Sequence, residues 1–262
     1  MTAHSSSGHA GPGQGWADAR ANIFGRAEEI EQLRQRVARR RSFLFYGPAG
    51  VGKTLLLSAV LPQFSDILYS RNNPTPQALF RGLAELLLAE RHPVFAKACP
   101  NGPASLQAKS TISVKGLLRD ALLNSSYLVV LDHLMRPSQP LAASIRELML
   151  NWSVPVIAVA RSAHMEDVGF VLPLFADRGD KFAMRNFDPE VAAEFAVTCA
   201  RSEGLEAENL ARFLEKIVEY SDGNPGAIVG MIRLGRDPQY FHEQQIKITP
   251  LYIDYKIAMV SD

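Results

Sequence analysis

Between Glu28 and Arg41 the apolar residues Ile30, Leu33 and Val37 recur three and four positions apart among charged neighbours, the spacing of one helix face. The pattern then changes. Ser42 to Tyr46 (SFLFY) is a short apolar run, which predicts a strand buried on both faces. Helical spacing resumes at Lys53 to Leu61, after a glycine-rich turn. Ile67-Leu68-Tyr69 reads as a second strand, Asn72 to Pro76 as a turn, and Gln77 to Glu90 as a strong helix. Residues 91–112, with prolines, a glycine and many polar side chains, read as a loop. Val114 to Leu123 predicts a helix, and Tyr127 to Asp132 (YLVVLD) an apolar strand that ends on a carboxylate. Leu141 to Trp152 returns to helix, Val154 to Ala160 is an apolar, β-rich strand, and Lys181 to Met184 forms the last strand expected.

Strands that alternate with helices of this length need crossovers, and right-handed crossovers build a parallel sheet with helices on both faces. After Phe187 no strand pattern returns. Pro189 to Ser202, Ala207 to Tyr220 and Gly226 to Leu234 are amphipathic helices in succession. The expected architecture is therefore an α/β domain at 22–185 followed by a small all-helical lid domain at 186–237. Residues 1–21 (beginning MTAHSSSGHAGPGQG) are too small and polar to bury a core and read as a disordered leader without signal-peptide features. The tail, 238–262, mixes aromatics, isoleucines and charges, and its pattern assigns no structure.

Composition changes this picture little. Apolar residues make up 47% and charged residues 21% of the 262 positions, which is ordinary globular usage. The net charge of +1 gives no whole-molecule drive toward nucleic acid or a membrane surface. Locally, Arg34 to Arg41 (RQRVARRR) is basic. It reads as a solvated helix end suited to the negative end of the helix dipole, or as a contact for nucleic acid or a partner. Cys99 and Cys199 lie far apart and form no metal-ligand spacing, in keeping with a reduced, cytoplasmic chain. No run approaches the roughly 18 apolar residues that span a bilayer.

The chemistry sits at the end of the first strand. Gly47-Pro48-Ala49-Gly50-Val51-Gly52-Lys53-Thr54 matches G-x-x-x-x-G-K-[ST] between a predicted strand and a predicted helix, the phosphate loop in its required context. Its glycines let the backbone curl so that N–H groups converge on phosphate oxygens, and the following helix directs its positive end at the same anion. Lys53 is placed to reach the β- and γ-phosphates, and the Thr54 hydroxyl to ligate Mg²⁺. Metal-bound phosphate also needs a carboxylate, and Asp132 at the end of a buried strand is the candidate. Next to it stands His133, where many ATPases carry a glutamate that orients the attacking water. If the strand persisted, the pleat would turn His133 away from Asp132.

Three further stretches resemble the AAA+-related STAND ATPases, and also the origin-recognition ATPases. Ile23-Phe24-Gly25-Arg26-Ala27-Glu28-Glu29-Ile30 is similar to their N-terminal signature, with Ala27 in place of the first acid. Val156 to Arg161 (VIAVAR) is similar to the strand whose terminal arginine senses the γ-phosphate, with Val159 and Ala160 where STAND members carry threonines. Gly223-Asn224-Pro225 is similar to the Gly-x-Pro of the lid, whose proline lies against the base. The resemblance covers residues 22–235. It implies ATP or ADP with Mg²⁺ as ligand, with no guanine-reading Asn-Lys-x-Asp motif. The implied nucleotide contacts are Ile23, Phe24, Gly25, Arg26, the loop residues Gly47, Pro48, Ala49, Gly50, Val51, Gly52, Lys53 and Thr54, then Leu55 and Pro225. Lys53, Asp132 and Arg161 are the expected catalytic residues, and Thr54 and Asp132 the metal ligands.

Two functions follow from the resemblance. One is a slow ATPase switch in which nucleotide governs the arrangement of core and lid and the binding of a protein partner or a second copy. The other is an AAA+ motor or loader that acts on nucleic acid. No arginine finger and no second catalytic acid are identifiable, which favours the switch. Full STAND proteins continue into a winged helix and a sensor region, so the chain is expected to be a fragment or a minimal member. A nucleotide-binding fold without turnover is the third reading.

Overall fold

Five short strands, apolar for most of their length, are driven to the middle of the molecule. In the computed structural model, which describes residues 23–71 and 73–261, they are β1 (Phe43–Tyr46), β2 (Ile67–Arg71), β3 (Leu128–Asp132), β4 (Val156–Ala160) and β5 (Lys181–Ala183). The expected leader, 1–21, lies outside the described residues. All strand pairs in this sheet are parallel, in the order β2-β3-β4-β1-β5. Every residue of β3 and β4 is buried, as the unbroken apolar runs require.

The pleat sends alternate side chains to opposite faces. Phe43, Phe45, Val130 and Val159 pack beneath α1 (Ala27–Ala38) and α2 (Lys53–Val60), against Leu33, Val37, Leu56 and Val60. Leu44, Val129, Leu131 and Ala158 face the other layer, built from α3 (Pro76–Ala89), α4 (Pro93–Ala98), α5 (Pro103–Gln107), α6 (Thr111–Leu122) and α7 (Gln139–Arg146). Thr75 caps α3 by accepting the Ala78 N–H at 3.1 Å, with Pro76 at the first helical position. The α7 helix loosens into a π-turn over Glu147–Asn151, so the helix expected at 141–152 is present in two parts. A short α8 (Met165–Val168) precedes β5.

Residues 91–112 are not the loop that their composition suggests. Pro93 and Pro103 open α4 and α5, where a missing N–H costs nothing, and Phe95 and Leu106 are buried beneath them. Part of the basic run is likewise engaged within the fold. Arg36 donates to Gly179 O at 2.8 Å and lies over the Phe182 ring at 5.2 Å, and Arg40 donates to Ser65 O at 2.8 Å. Arg34 pairs with Glu31.

Beyond the sheet, α9 (Pro189–Ser202), α10 (Leu210–Ser221) and α11 (Pro225–Leu234) form the predicted helical region. The tail joins their core. A two-stranded antiparallel hairpin, β6 (Phe241–His242) and β7 (Gln245–Ile246), leads into α12 (Ile248–Ser261). Tyr240, Ile246, Leu251 and Tyr255 are buried among Phe213, Ile217, Ile228 and Met231. Asn209 grips β7 at Ile246, donating to its O and accepting from its N–H, each at 2.9 Å. At Gly230 a Cβ would stand 2.8 Å from the Tyr255 ring, so α12 rests against the glycine itself. No helix among the described residues is long and apolar enough to cross a membrane.

Leu251, fully buried in α12, therefore tests whether the tail belongs to the folded core. Leu251→Ala is expected to cost about 2–5 kcal/mol in chemical denaturation. A loss below ~1 kcal/mol would show that the tail merely lies on the surface.

Candidate functional site

In an open parallel sheet the loops after the strands converge at the carboxyl edge, and ligands bind there. Here the edge gathers the ends of β1, β3 and β4 around one cleft lined by Gly50, Gly52, Lys53, Thr54, Asp132, His133 and Arg161. Gly50 (φ +77°) and Gly52 (φ +103°) adopt conformations that side chains resist, and this makes the curl between β1 and α2 possible. Gly47 is required for a different reason: a Cβ there would fall 2.3 Å from Met184 O.

Lys53 bends over the loop and donates to Gly47 O at 2.6 Å and Pro48 O at 2.9 Å. Burial pushes its pKa down to about 8, with Asp132 pulling it up and Arg161 pushing it further down. The three charges expected from the sequence thus share one cleft. Across it, Asp132 is 2% exposed. Its Oδ2 accepts hydrogen bonds from the Thr54 hydroxyl at 2.9 Å and from the Tyr69 hydroxyl, and its Oδ1 accepts from the His133 N–H at 2.9 Å. Arg71 Nε donates to Tyr69 Oη at 3.2 Å. Burial and the neighbouring carboxylate push the Tyr69 phenol well above its usual range.

The Thr54 hydroxyl beside a carboxylate is an all-oxygen donor pair. Among the described residues no group of three or more His, Cys, Asp or Glu forms a metal cage. Two protein oxygens without a cage fit a small hard cation such as Mg²⁺, which keeps its waters and takes its remaining ligands from phosphate.

The strand ends at Asp132, and His133 turns sharply at φ +57°. The turn brings its imidazole into the cleft, with Nε2 3.8 Å from Asp132 Oδ2, rather than to the opposite face that a continued pleat would give. Arg161 is exposed at the end of β4 and lines the same cleft. Leu55, 44% exposed, adds an apolar wall.

The N-terminal signature is placed elsewhere. Ile23 packs on the core beneath α1 and α2. Phe24 packs edge-on against Phe187 and at 5.5 Å against Phe195. Gly25, at φ +63°, leaves no room for a Cβ, which would meet Val191 at 2.9 Å. Arg26 is buried, bonded to Glu29 at 2.6 Å and to Arg185 O at 2.7 Å, with its guanidinium 4.2 Å from the Phe187 ring centroid. These residues join the start of α1 to the segment that leads into α9, and Arg26 points to that hinge rather than to the cleft.

Pro225 occupies the first turn of α11, half-buried. Its neighbours make contacts that the sequence does not advertise. Asn224 Nδ2 donates to Ala49 O at 2.9 Å, and Gly226 N–H donates to Gly50 O at 3.0 Å. Tyr69, Asn224 and Gly226 are the site residues that sequence reasoning missed. An Asn-Pro pair before an apolar helix signals an N-cap, but nothing local shows what its amide reaches.

No family model matches the chain, and no curated protein matches it. Solved structures do. A Walker-type ATPase of Pyrococcus abyssi aligns with 92% of this chain and 75% of its own at 17% identity and a TM-score of 0.61. The Aeropyrum pernix ORC1 protein, solved in complex with DNA, aligns over 92% and 67% at 15% identity and a TM-score of 0.61. A Signal Transduction ATPase with Numerous Domains (STAND) protein with a tetratricopeptide repeat sensor, from Pyrococcus horikoshii, aligns over 90% and 32% at 14% identity and a TM-score of 0.51. The chain spans about a third of that last protein. The likeness is one of fold, a parallel sheet covered by helices and followed by a helical region.

Tyr69→Phe removes one of the donors to a buried carboxylate, together with the acceptor of the Arg71 Nε–H. It is expected to destabilise the protein by about 1.5–3 kcal/mol in urea at neutral pH, the range for hydrogen bonds to charged groups. Unchanged stability would show that Asp132 does not depend on the phenol.

Proposed function

We propose that the protein binds ATP and ADP with Mg²⁺ at the Gly47–Thr54 loop and acts as a slow, switch-type ATPase whose helical region responds to the nucleotide. One observation carries this reading: the Thr54 hydroxyl lies 2.9 Å from Asp132 Oδ2 at the mouth of the curled loop. Two residues 78 positions apart in sequence are thereby brought together where a metal–phosphate complex needs them.

The roles divide by chemistry. The loop N–H groups and the start of α2 receive the phosphates, and Lys53 exchanges its carbonyl partners for phosphate oxygens. Thr54 and Asp132 would hold Mg²⁺, which would supply positive charge against the phosphates. Arg161, at the open side of the cleft, is placed to sense the γ-phosphate. Pro225, Ile23, Phe24, Gly25 and Leu55 offer apolar surface for base and sugar. That Phe24 already packs on Phe187 and Phe195 limits it to a wall, and Arg26 acts through the hinge. Adenine is the base because the similarly folded proteins named above are ATPases by name.

Slow turnover follows from what surrounds Asp132. Its oxygens are already engaged by Thr54, Tyr69 and His133 N–H, so it is badly placed to take a proton from water as well. His133 reaches the cleft, but an imidazole is a weaker water-orienting acceptor there than a carboxylate. The proposed partner is a protein or a second copy. A loader acting on nucleic acid is the second reading, supported by the likeness to ORC1, which was solved with DNA. The basic run favours it less than its composition promises, since Arg36 and Arg40 are bonded to backbone carbonyls.

Lys53→Ala is expected to abolish binding of Mg-ATP in calorimetric titration while the melting transition stays close to wild type; unchanged affinity would sink the assignment. Phosphate release from the isolated protein should run far below the enzyme median of about 10 s⁻¹, and His133→Glu should raise it. Turnover of several per second without partner or nucleic acid would instead favour the motor.

A further inference from the structure

Four consecutive carbonyls of the loop, those of Gly47, Pro48, Ala49 and Gly50, each have a donor. Lys53 serves the first two. The other two are served from the helical region, by Asn224 Nδ2 and by Gly226 N–H. In a planar trans peptide the C=O and the following N–H point in opposite directions. Holding Ala49 O toward α11 therefore turns the Gly50 N–H away from it, and holding Gly50 O does the same for the Val51 N–H. The Val51 N–H also closes a long turn bond to Pro48 O at 3.3 Å.

We propose that Asn224 and Gly226 are positioning residues for phosphate binding: by holding the loop's outward carbonyls they aim and polarise the Gly50 and Val51 N–H groups, the second of which would exchange Pro48 O for phosphate as Lys53 does. The inference rests on the reading of this loop as a nucleotide phosphate site. It gives the helical region a second role there, independent of any contact of Pro225 with the base.

The contact is built for its purpose. A Cβ on Gly226 would stand 2.8 Å from Gly50 Cα, and one on Gly50 would stand 2.7 Å from Asn224 Oδ1. Only two facing glycines let the donors come so close. The orientation of the Asn224 amide is settled by its other bonds, since Oδ1 accepts the Ala227 N–H at 3.1 Å and Nδ2 also donates to Asn186 Oδ1 at 3.1 Å. A flipped amide would set its oxygen against the Ala49 carbonyl and its nitrogen against the Ala227 N–H. Chained hydrogen bonds through one peptide group strengthen each other by about 10–30% per bond. The gain falls on phosphate, not on adenine.

The test compares ligands that share only one end, using the full chain with Mg²⁺ and titrating ADP, pyrophosphate and adenosine. Asn224→Ser keeps a neutral N-cap for α11 but withdraws the donation to Ala49 O. Gly226→Ala forces α11 off the loop. Asn224→Ser is expected to weaken ADP and pyrophosphate by the same factor, about 3- to 10-fold, with adenosine unchanged; Gly226→Ala, which moves Pro225 along with α11, is expected to weaken pyrophosphate by at least as much. In Asn224→Ser the Gly50 amide proton should also shift upfield without any ligand, a change that a merely structural role would not produce. Loss confined to ADP and adenosine, with pyrophosphate unaffected, would place the effect on the base and overturn the inference. So would equal binding of all three ligands by wild type and variants. If the wild type binds neither ADP nor pyrophosphate, the nucleotide reading itself fails, and the inference with it.

Discussion

A backbone that turns its N–H groups toward one point has to turn its carbonyls the other way, and those carbonyls need donors. This constraint organises the carboxyl edge of the sheet. Lys53 holds the first half of the loop from within, and Asn224 and Gly226 hold the second half from the helical region. The segment after β5 closes the arrangement: Met184 O lies where a Cβ of Gly47 would be, and Phe187 N–H donates to Gly223 O at 3.0 Å. The loop, the hinge and the first turn of α11 are therefore neighbours by backbone contact, with glycines at each point of approach.

Strand order explains why charge gathers on one side of the loop and attachment on the other. With β1 between β4 and β5, and β3 beyond β4, the ends of β3 and β4 bring Asp132 and Arg161 to the cleft side. The end of β5 leads to the hinge. A buried carboxylate is costly unless it is hydrogen-bonded, and Asp132 has the Thr54 and Tyr69 hydroxyls and its neighbour's N–H. Tyr69 reaches it because β2 pairs with β3 in parallel register, setting Arg71 opposite Asp132 and Tyr69 opposite Val130.

What could be read in advance followed from local chemistry. The strands and long helices were legible because burial on both faces, or on one, leaves a period in the sequence, and the loop was legible because its glycines and lysine act within eight consecutive residues. The failures have equally physical causes. Prolines at 93 and 103 look like breakers until the capping residue before each is seen to start a helix. In α12 the buried stripe Ile248, Leu251, Tyr252 and Tyr255 has helical spacing, but Ile253, Ile257 and Met259 are apolar on the exposed side and mask it. Tyr69, Asn224 and Gly226 depend on sheet register and on the docking of a distant helix, which no local pattern encodes. The family resemblance named Phe24 and Arg26 as nucleotide contacts, and it carried no sign of the Phe187, Phe195 and Arg185 that they touch.

What they touch bears on how the two parts of the chain stay together. The Phe24, Phe187 and Phe195 rings form one cluster, with Arg26 stacked on Phe187 and bonded to the Arg185 carbonyl. Each aromatic side chain buries some 150–250 Å², worth several kcal/mol at about 25 cal/mol per Å², and edge contacts add about 0.5–1.5 kcal/mol per pair. The two hydrogen bonds from α11 to the loop contribute only about 0.5–1.5 kcal/mol each. Any swing of the helical region relative to the sheet would therefore break the loop contacts first and pivot on the aromatic cluster. Arg26 shows how firmly that pivot is held: its Nε is buried without a partner among the described residues, a cost of about 1–3 kcal/mol that the surrounding packing sustains. The strong attachment carries no information about phosphate, and the weak one is made to the phosphate loop itself. The proposed switch would depend on that division, because a contact as strong as the pivot would leave nucleotide nothing to change.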